Sequence, residues 1–175
     1  DQVVGYALPL GWEHEGERWV SSPWTFRRGH MFLLPGDSPM GLRLPLDALV
    51  WEPPELRQPL DQLDPFAPRR ALPGAGDVSA RYTQWKEGLP PDSLRAHGLS
   101  EQGLADAEQS GRYFVRTAMA FEPRDGNLHV FLPPISDAVH WLHLIGHIEE
   151  TARELGLAIV IEGYPAPHDP RLKRF

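Results

Sequence analysis

The amino-acid sequence predicts an α+β fold, in which a mainly antiparallel sheet carries one long amphipathic helix, about residues 136–155, on one face. Three observations predict it: an Asp-Gly pair between two apolar runs, a helical apolar stripe, and a continuous apolar run directly after that stripe. Together they form a hairpin–helix–strand part over residues 111–175, which follows a β-rich part, residues 1–51, and a proline-rich insertion, residues 52–110. We expect residues 1–175 to form a single α+β domain or a fragment of one.

The first part of the chain, residues 1–51, has the pattern of short strands. In residues 41–46, leucine alternates strictly with other residues, so that Arg43 lies on the face opposite to Leu42 and Leu44. Because Pro45 cannot donate a backbone hydrogen bond to a neighbour, we expect an edge strand or a strand end there. Two apolar runs, each closed by a proline, predict the other strands: residues 3–8 and 30–34.

The middle part, residues 52–110, contains eight of the 19 prolines and four more acids than bases. No period of 2 or 3.6 persists along it, so we expect an extended surface excursion with one or two short helices. Residues 100–109 are one helix candidate, with Ser100 as the N-cap. Tyr82 and Trp85 indicate that part of the excursion docks onto the rest of the domain.

A β-hairpin is predicted around Asp125-Gly126, since this dipeptide between apolar runs is a strong hairpin signal. If the turn is a two-residue type I′ turn, Glu122 lies opposite His129, and Arg116 is on the same face. A three-residue bulged turn would shift these pairs by one position, so both registers stay open.

The helix that follows has Ser136 as its candidate N-cap, and Gly156 ends it. After the helix, residues 157–161 are continuously apolar, which predicts a strand covered on both faces. The apolar stripe of the helix repeats at spacings of 3, 4 and 7 and consists of Ala138, Trp141, Leu142, Ile145, Ile148, Ala152 and Leu155.

Three histidines, His140, His143 and His147, lie opposite that apolar stripe. Their spacing places His143 and His147 on one side of the helix, as in some metal sites, and Glu150 and Glu154 are the acids on that side. Because no H-E-x-x-H pattern is present, we favour a solvated polar face, with a metalloprotein as the alternative.

The composition excludes several classes of function. With 24 acids against 17 bases and a net charge of −7, the chain lacks the basic balance of a nucleic-acid or anionic-membrane surface. The absence of cysteine excludes a disulfide scaffold, a thiolate zinc site and a cysteine nucleophile. No apolar run approaches the roughly 20 residues that span a bilayer. Since the first residues also lack a signal-peptide layout and an initiator methionine, we expect a cytoplasmic protein and a piece of a longer one.

Charged residues on the predicted strands are the candidates for chemistry. A sheet face with Arg116, Glu122 and His129 suits a charged substrate or a metal–phosphate group, although a solvent-facing hairpin gives the same alternation. Glu162 ends an otherwise apolar strand, where a buried acid would need a partner. A plain strand-end acid is the alternative.

Seven stretches of the chain together resemble a known family, the bacterial putative amidoligase family of otherwise unknown function. The resemblance is nearly collinear over residues 3–51 and 111–172. The stretches that carry it are residues 27–46 (RRGHMFLLPGDSPMGLRLPL), 64–68 (DPFAP), 116–118 (RTA), 122–126 (EPRDG), 128–131 (LHVF), and 161–165 (IEGYP) with 169–172 (DPRL).

The resemblance implies a glutamine-synthetase-type fold and an ATP-dependent ligase that joins a carboxylate to an amine, with ATP and Mg²⁺ as cofactors. In such a site Glu122 and Glu162 suit Mg²⁺. Arg43 and Arg116, together with His129, suit phosphate or the substrate carboxylate. The resemblance assigns no catalytic residue.

Members of that family are large proteins, commonly with a preceding transglutaminase-like region, and further acidic β-structure is expected after Leu172. The chain therefore resembles an internal fragment whose partner is the rest of its own polypeptide. We expect it to be inactive alone, with neither ATP nor Mg²⁺ bound and with no nucleic-acid or membrane partner. The alternative function is a noncatalytic insertion or a substrate-docking module of a larger enzyme. The ligase hypothesis requires the candidate acids and arginines to share one concave sheet face.

Overall fold

A computed structural model describes the following residues of the chain: 5–13, 18–21, 24, 26, 31–37, 42–45, 49, 68–87 and 115–173. Strands and helices in these residues follow one another as β1 (Tyr6–Pro9), β2 (Gly11–Glu13), β3 (Arg18–Val20), β4 (Leu34–Pro35), β5 (Leu42–Arg43), α1 (Ala75–Glu87), β6 (Ala118–Arg124), β7 (Asn127–Leu132), α2 (Ala138–Leu155) and β8 (Ile159–Gly163). The α+β class predicted from the sequence is confirmed.

A four-stranded sheet with the order β1-β6-β7-β8 organises the domain, and two small hairpins, β2-β3 and β4-β5, accompany it. The pairs β1-β6 and β6-β7 are antiparallel. The pair β7-β8 is parallel, because α2 lies between these strands in the chain and returns β8 to the same end of the sheet. The sheet is therefore mixed, with two of its three strand pairs antiparallel.

The β6-β7 hairpin has the predicted two-residue turn. Asp125 and Gly126 have φ values of 52° and 81°, and positive values at both positions define a type I′ turn. This turn sets Glu122 opposite His129, as predicted, and the bulged alternative is not adopted.

One face of the sheet packs against α2 and forms the apolar core. Val130 at its centre is only 1% exposed. Each such aliphatic side chain stabilises the fold by about 1.5–3 kcal/mol relative to an exposed one. The cluster consists of Leu10, Met119, Val130, Leu132, Leu144 and Ile148.

The ends of α2 follow the local sequence closely. Its N-cap is Asp137 rather than the predicted Ser136, since the Asp137 carboxylate accepts hydrogen bonds from the amides of Val139 and His140 at 2.6 and 3.2 Å. Gly156 ends the helix as predicted, with a left-handed φ of 63°.

The prediction of a solvated histidine face on α2 is wrong. His140 and His143 are 3% and 6% exposed. Trp12 of β2 stacks on His140 with ring centroids 3.9 Å apart, and Tyr82 of α1 lies against His147 at 5.6 Å. The helix is thus covered on two sides, so a description as one amphipathic helix on a sheet is too simple.

The helix α1 lies in the part predicted as an extended excursion with one or two short helices. It docks on α2 through Tyr82, which is buried as predicted, and through Ser79, whose hydroxyl donates to Glu150 at 2.6 Å. At the crossing, a Cβ on Gly146 would lie 3.3 Å from Val78 Cβ, so glycine permits the close approach. The candidate helix over residues 100–109 and the side chain of Trp85 lie outside the described residues.

The strand after α2 differs from its prediction in one respect. The apolar run 157–161 leads into β8, but Leu157 and Ile161 are 47% and 40% exposed, so the run is not covered on both faces. The reason is that β8 is an edge strand of the sheet. Among the helices in the described residues, none is both long and apolar enough to cross a membrane.

Candidate functional site

A cavity of about 570 Å³ lies where the β4-β5 hairpin faces the ends of β6, β7 and β8. Four separate segments among the described residues line it. Two of the lining side chains are cationic, Arg43 and Arg116, whereas Phe131 and Pro133 supply apolar surface. Tyr164, directly after β8, also lines the cavity. Asp37 also lines the cavity, which therefore combines two guanidiniums and one carboxylate with apolar surface.

Arg43 is held in place by its own hairpin. Its Nε donates to Asp37 Oδ1 at 3.1 Å, and its Nη2 also contacts that oxygen. A Cβ on Gly36 would lie 2.6 Å from Arg43 Cδ, so glycine at this position allows the arginine stem to cross the hairpin. The Arg43 guanidinium lowers the pKa of Asp37, and Asp37 in turn raises the pKa of Arg43. Both side chains are consequently charged at neutral pH.

Arg116 reaches the cavity from the start of β6. It lies two and four positions before Ala118 and Ala120, which also line the cavity. Since alternate residues of a strand share a face, the arginine and the two alanines follow one side of the sheet. The short alanine side chains leave space above the sheet, and the arginine stands at the border of that space.

A polar cluster, which we define as Glu122, Arg124, His129 and Glu162, lies on the same sheet face nearer to the hairpin turn. Arg124 Nη2 is 3.0 Å from Glu162 Oε2 and 3.7 Å from Glu122 Oε2. His129 Nδ1 is 2.8 Å from Glu162 Oε1 and 3.0 Å from Arg124 Nη2. The register that pairs Glu122 with His129 places these two side chains together, and the parallel strand β8 adds Glu162.

Phe131 connects the polar cluster to the cavity. It lines the cavity, and the Arg124 guanidinium carbon lies 5.8 Å from the centre of its ring, within range of a cation–π interaction. The hydrogen bond with His129, followed by that from Arg124, lowers the pKa of Glu162. Glu162 is therefore a carboxylate at neutral pH, next to an imidazole and a guanidinium.

The structure brings the predicted site residues to one face of the sheet. Arg43 and Arg116 line the cavity, while Glu122, His129 and Glu162 are in the adjoining polar cluster. The two glutamates are not separated by packed core but share Arg124. What these five residues bind stays a prediction.

Sequence reasoning missed Arg124, Asp37 and Tyr164 as site residues. Arg124 had a signal, because it lies two positions after Glu122 and so shares its face in the predicted strand. Asp37 and Tyr164 lie in two of the stretches that carry the family resemblance, but their place at the cavity depends on the packing of the β4-β5 hairpin and the end of β8.

The polar cluster does not fit Mg²⁺ as it stands. Arg124 Nη2 lies within contact distance of both carboxylates and would repel a cation there. Within the described part of the chain, no three His, Asp or Glu side chains are placed to hold a metal ion, and this includes the histidines of α2. The metal role of Glu122 and Glu162 stays a prediction.

The fold and the site define an α+β protein with an arginine-lined cavity beside a charged sheet face. A family model described as "Putative amidoligase enzyme (DUF2126)" matches residues 1–175, and the chain belongs to this family. The family predicted from the sequence stretches is thereby confirmed. No curated protein and no solved structure matches the chain.

Proposed function

We propose that the chain forms the anion-binding face of an ATP-dependent carboxylate–amine ligase, with the acyl or phosphoryl group held in the arginine-lined cavity. The observation that carries the proposal is that Arg43 and Arg116, which are distant in the sequence, line one cavity. A guanidinium presents a planar set of donors that matches carboxylate and phosphate oxygens. The apolar surface beside them lowers the local dielectric constant and strengthens this attraction.

In such a reaction a carboxylate oxygen takes the γ-phosphoryl group of ATP, and ADP leaves. An amine nitrogen then attacks the acyl carbon and expels phosphate, and the surplus proton of the amine passes to a base or to water. Arg43 and Arg116 would orient the anionic group before each step. A guanidinium has five N–H donors, so Arg43 can bind an anion while Asp37 accepts from its Nε and Nη2.

The proposal includes the glutamine-synthetase-type fold that the resemblance implies. Its support is a sheet with a helix on one face and charged side chains on the other. ATP and Mg²⁺ enter the proposal through the resemblance. The expected partner, which is the rest of the polypeptide, and the cytoplasmic location stay predictions.

The test is hydroxamate formation by the native polypeptide that carries this chain. ATP, hydroxylamine and a panel of carboxylic acids are supplied, and hydroxylamine traps the activated acyl group. Arg43→Gln and Arg116→Gln should each lower the rate about 10- to 100-fold, because a hydrogen bond to a charged group contributes about 1.5–3 kcal/mol.

Arg153→Gln is the matched control for this assay. Arg153 is an exposed arginine on α2 that pairs with Glu149 and Glu150, outside the cavity, and its loss should leave the rate unchanged. Unchanged rates for the Arg43 and Arg116 variants would contradict the proposal. If these variants weaken binding of a large substrate but not hydroxamate formation from small acids, the docking-module alternative is correct. The 175-residue chain alone should show no turnover.

A further inference from the structure

We infer that Arg124 occupies, between Glu122 and Glu162, the position that a divalent cation would take, so that the native acidic pair is balanced by a guanidinium. The inference does not depend on the proposed ligase function. It concerns a latent metal site that the native sequence keeps closed with its own side chain.

The geometry has a single centre. Three groups of the kind that ligate divalent cations surround one atom, Arg124 Nη2: Glu162 Oε2 at 3.0 Å, His129 Nδ1 at 3.0 Å and Glu122 Oε2 at 3.7 Å. These distances are those of hydrogen bonds and ion pairs, and metal–ligand bonds are shorter, at roughly 2.0–2.6 Å. In the native arrangement Nη2 fills the space between the three groups, and it would have to leave before they could approach a metal to that distance.

Arg124 is held at this centre from more than one side. Beyond the two carboxylates and the imidazole, its guanidinium lies over the ring of Phe131 at 5.8 Å. Nη2 carries two N–H donors, enough for its contacts with the two carboxylates. A metal would have to break all of these contacts to enter.

The charge balance supports the same conclusion. Two carboxylates with one guanidinium have a net charge of −1 when His129 is neutral, whereas without the guanidinium they would have −2. Two carboxylates and one imidazole form a donor set that suits divalent metals such as Mn²⁺. The acids are 42% and 33% exposed, so an ion from solution can reach them.

The experiment measures Mn²⁺ binding to the 175-residue chain by calorimetry and by the loss of the free-ion electron paramagnetic resonance signal. Arg124→Gln should bind one Mn²⁺ at least about tenfold more tightly than the native chain, a difference of about 1.4 kcal/mol. Arg124→Met, which keeps an unbranched stem over Phe131, should do the same and provides a second variant if the first does not fold. Adding Glu162→Gln to either variant should remove the gain.

Arg153→Gln is again the control, because it also removes a guanidinium from two carboxylates, those of Glu149 and Glu150, but on α2 and away from the polar cluster. It should gain no comparable site. If the native chain binds Mn²⁺ as tightly as the Arg124 variants, or if folded variants gain nothing, the inference is wrong. Neither result bears on the hydroxamate assay, which tests Arg43 and Arg116.

Discussion

The two faces of the central sheet differ in what their side chains do. On the helix-covered face, Val130 and Leu132 are 1% and 4% exposed and belong to the apolar core cluster. On the opposite face, the charged groups of the polar cluster pair with one another and remain partly open to solvent. Burial dominates folding free energy, and exposed ion pairs contribute little. The covered face therefore supplies most of the folding free energy of the sheet, so the side chains of the open face can be specialised for binding.

The largest expected effect is on the covered face. Leu144→Ala should lower the free energy of unfolding by about 2–5 kcal/mol, because it leaves a cavity between α2 and the sheet. Urea denaturation followed by circular dichroism measures the change. Glu122→Gln, on the open face, is the comparison variant and should change stability far less. Equal losses in the two variants would contradict the proposed division between the faces.

An intermediate effect is expected at Gly163, where β8 ends beside the cavity. Its φ is 98°, and a Cβ would lie 2.5 Å from the backbone nitrogen of Leu132, an atom that cannot move easily. Gly163→Ala should therefore cost about 1–3 kcal/mol in urea denaturation, and it should also move Tyr164 at the cavity wall. Gly156→Ala is the control, because it has a similar positive φ but no atom within 4 Å of the new Cβ. An equal cost at both glycines would show that the close approach has no effect.

Local signals account for what the sequence predicted well. The Asp125-Gly126 turn and the Gly156 end of α2 depend on residues that adopt positive φ with little strain, and each is specified by its own short segment. The N-cap was missed by one position, since Ser136 and Asp137 are both good capping residues. The strand alternation also placed Glu122 and His129 together once the turn type was known.

Contacts between distant segments account for what the sequence could not predict. The helix α1 buries Val78 and Tyr82, which are too few to give its sequence a clear helical period of apolar residues. Its docking also depends on Gly146 in α2, a distant part of the chain. The burial of the α2 histidines was not predicted because Trp12 and α1, which cover them, are distant from them in the sequence. The cavity likewise requires the β4-β5 hairpin to face the sheet, which no single segment encodes.

The smallest expected effect is the pH dependence that Glu162 gives to stability on the open face. Its pKa in the folded chain is lowered by the hydrogen bonds with His129 and Arg124. A carboxyl group with a lowered folded pKa contributes stability above its unfolded pKa, and this contribution is lost as the pH falls through the folded value. The stability difference between the native chain and Glu162→Gln should therefore be largest at neutral pH and should shrink in acid. Urea denaturation at a series of pH values measures it, with the exposed Glu149→Gln as the baseline. A difference that stays constant from neutral to acid pH would mean that the hydrogen bonds of Glu162 do not stabilise its charged form.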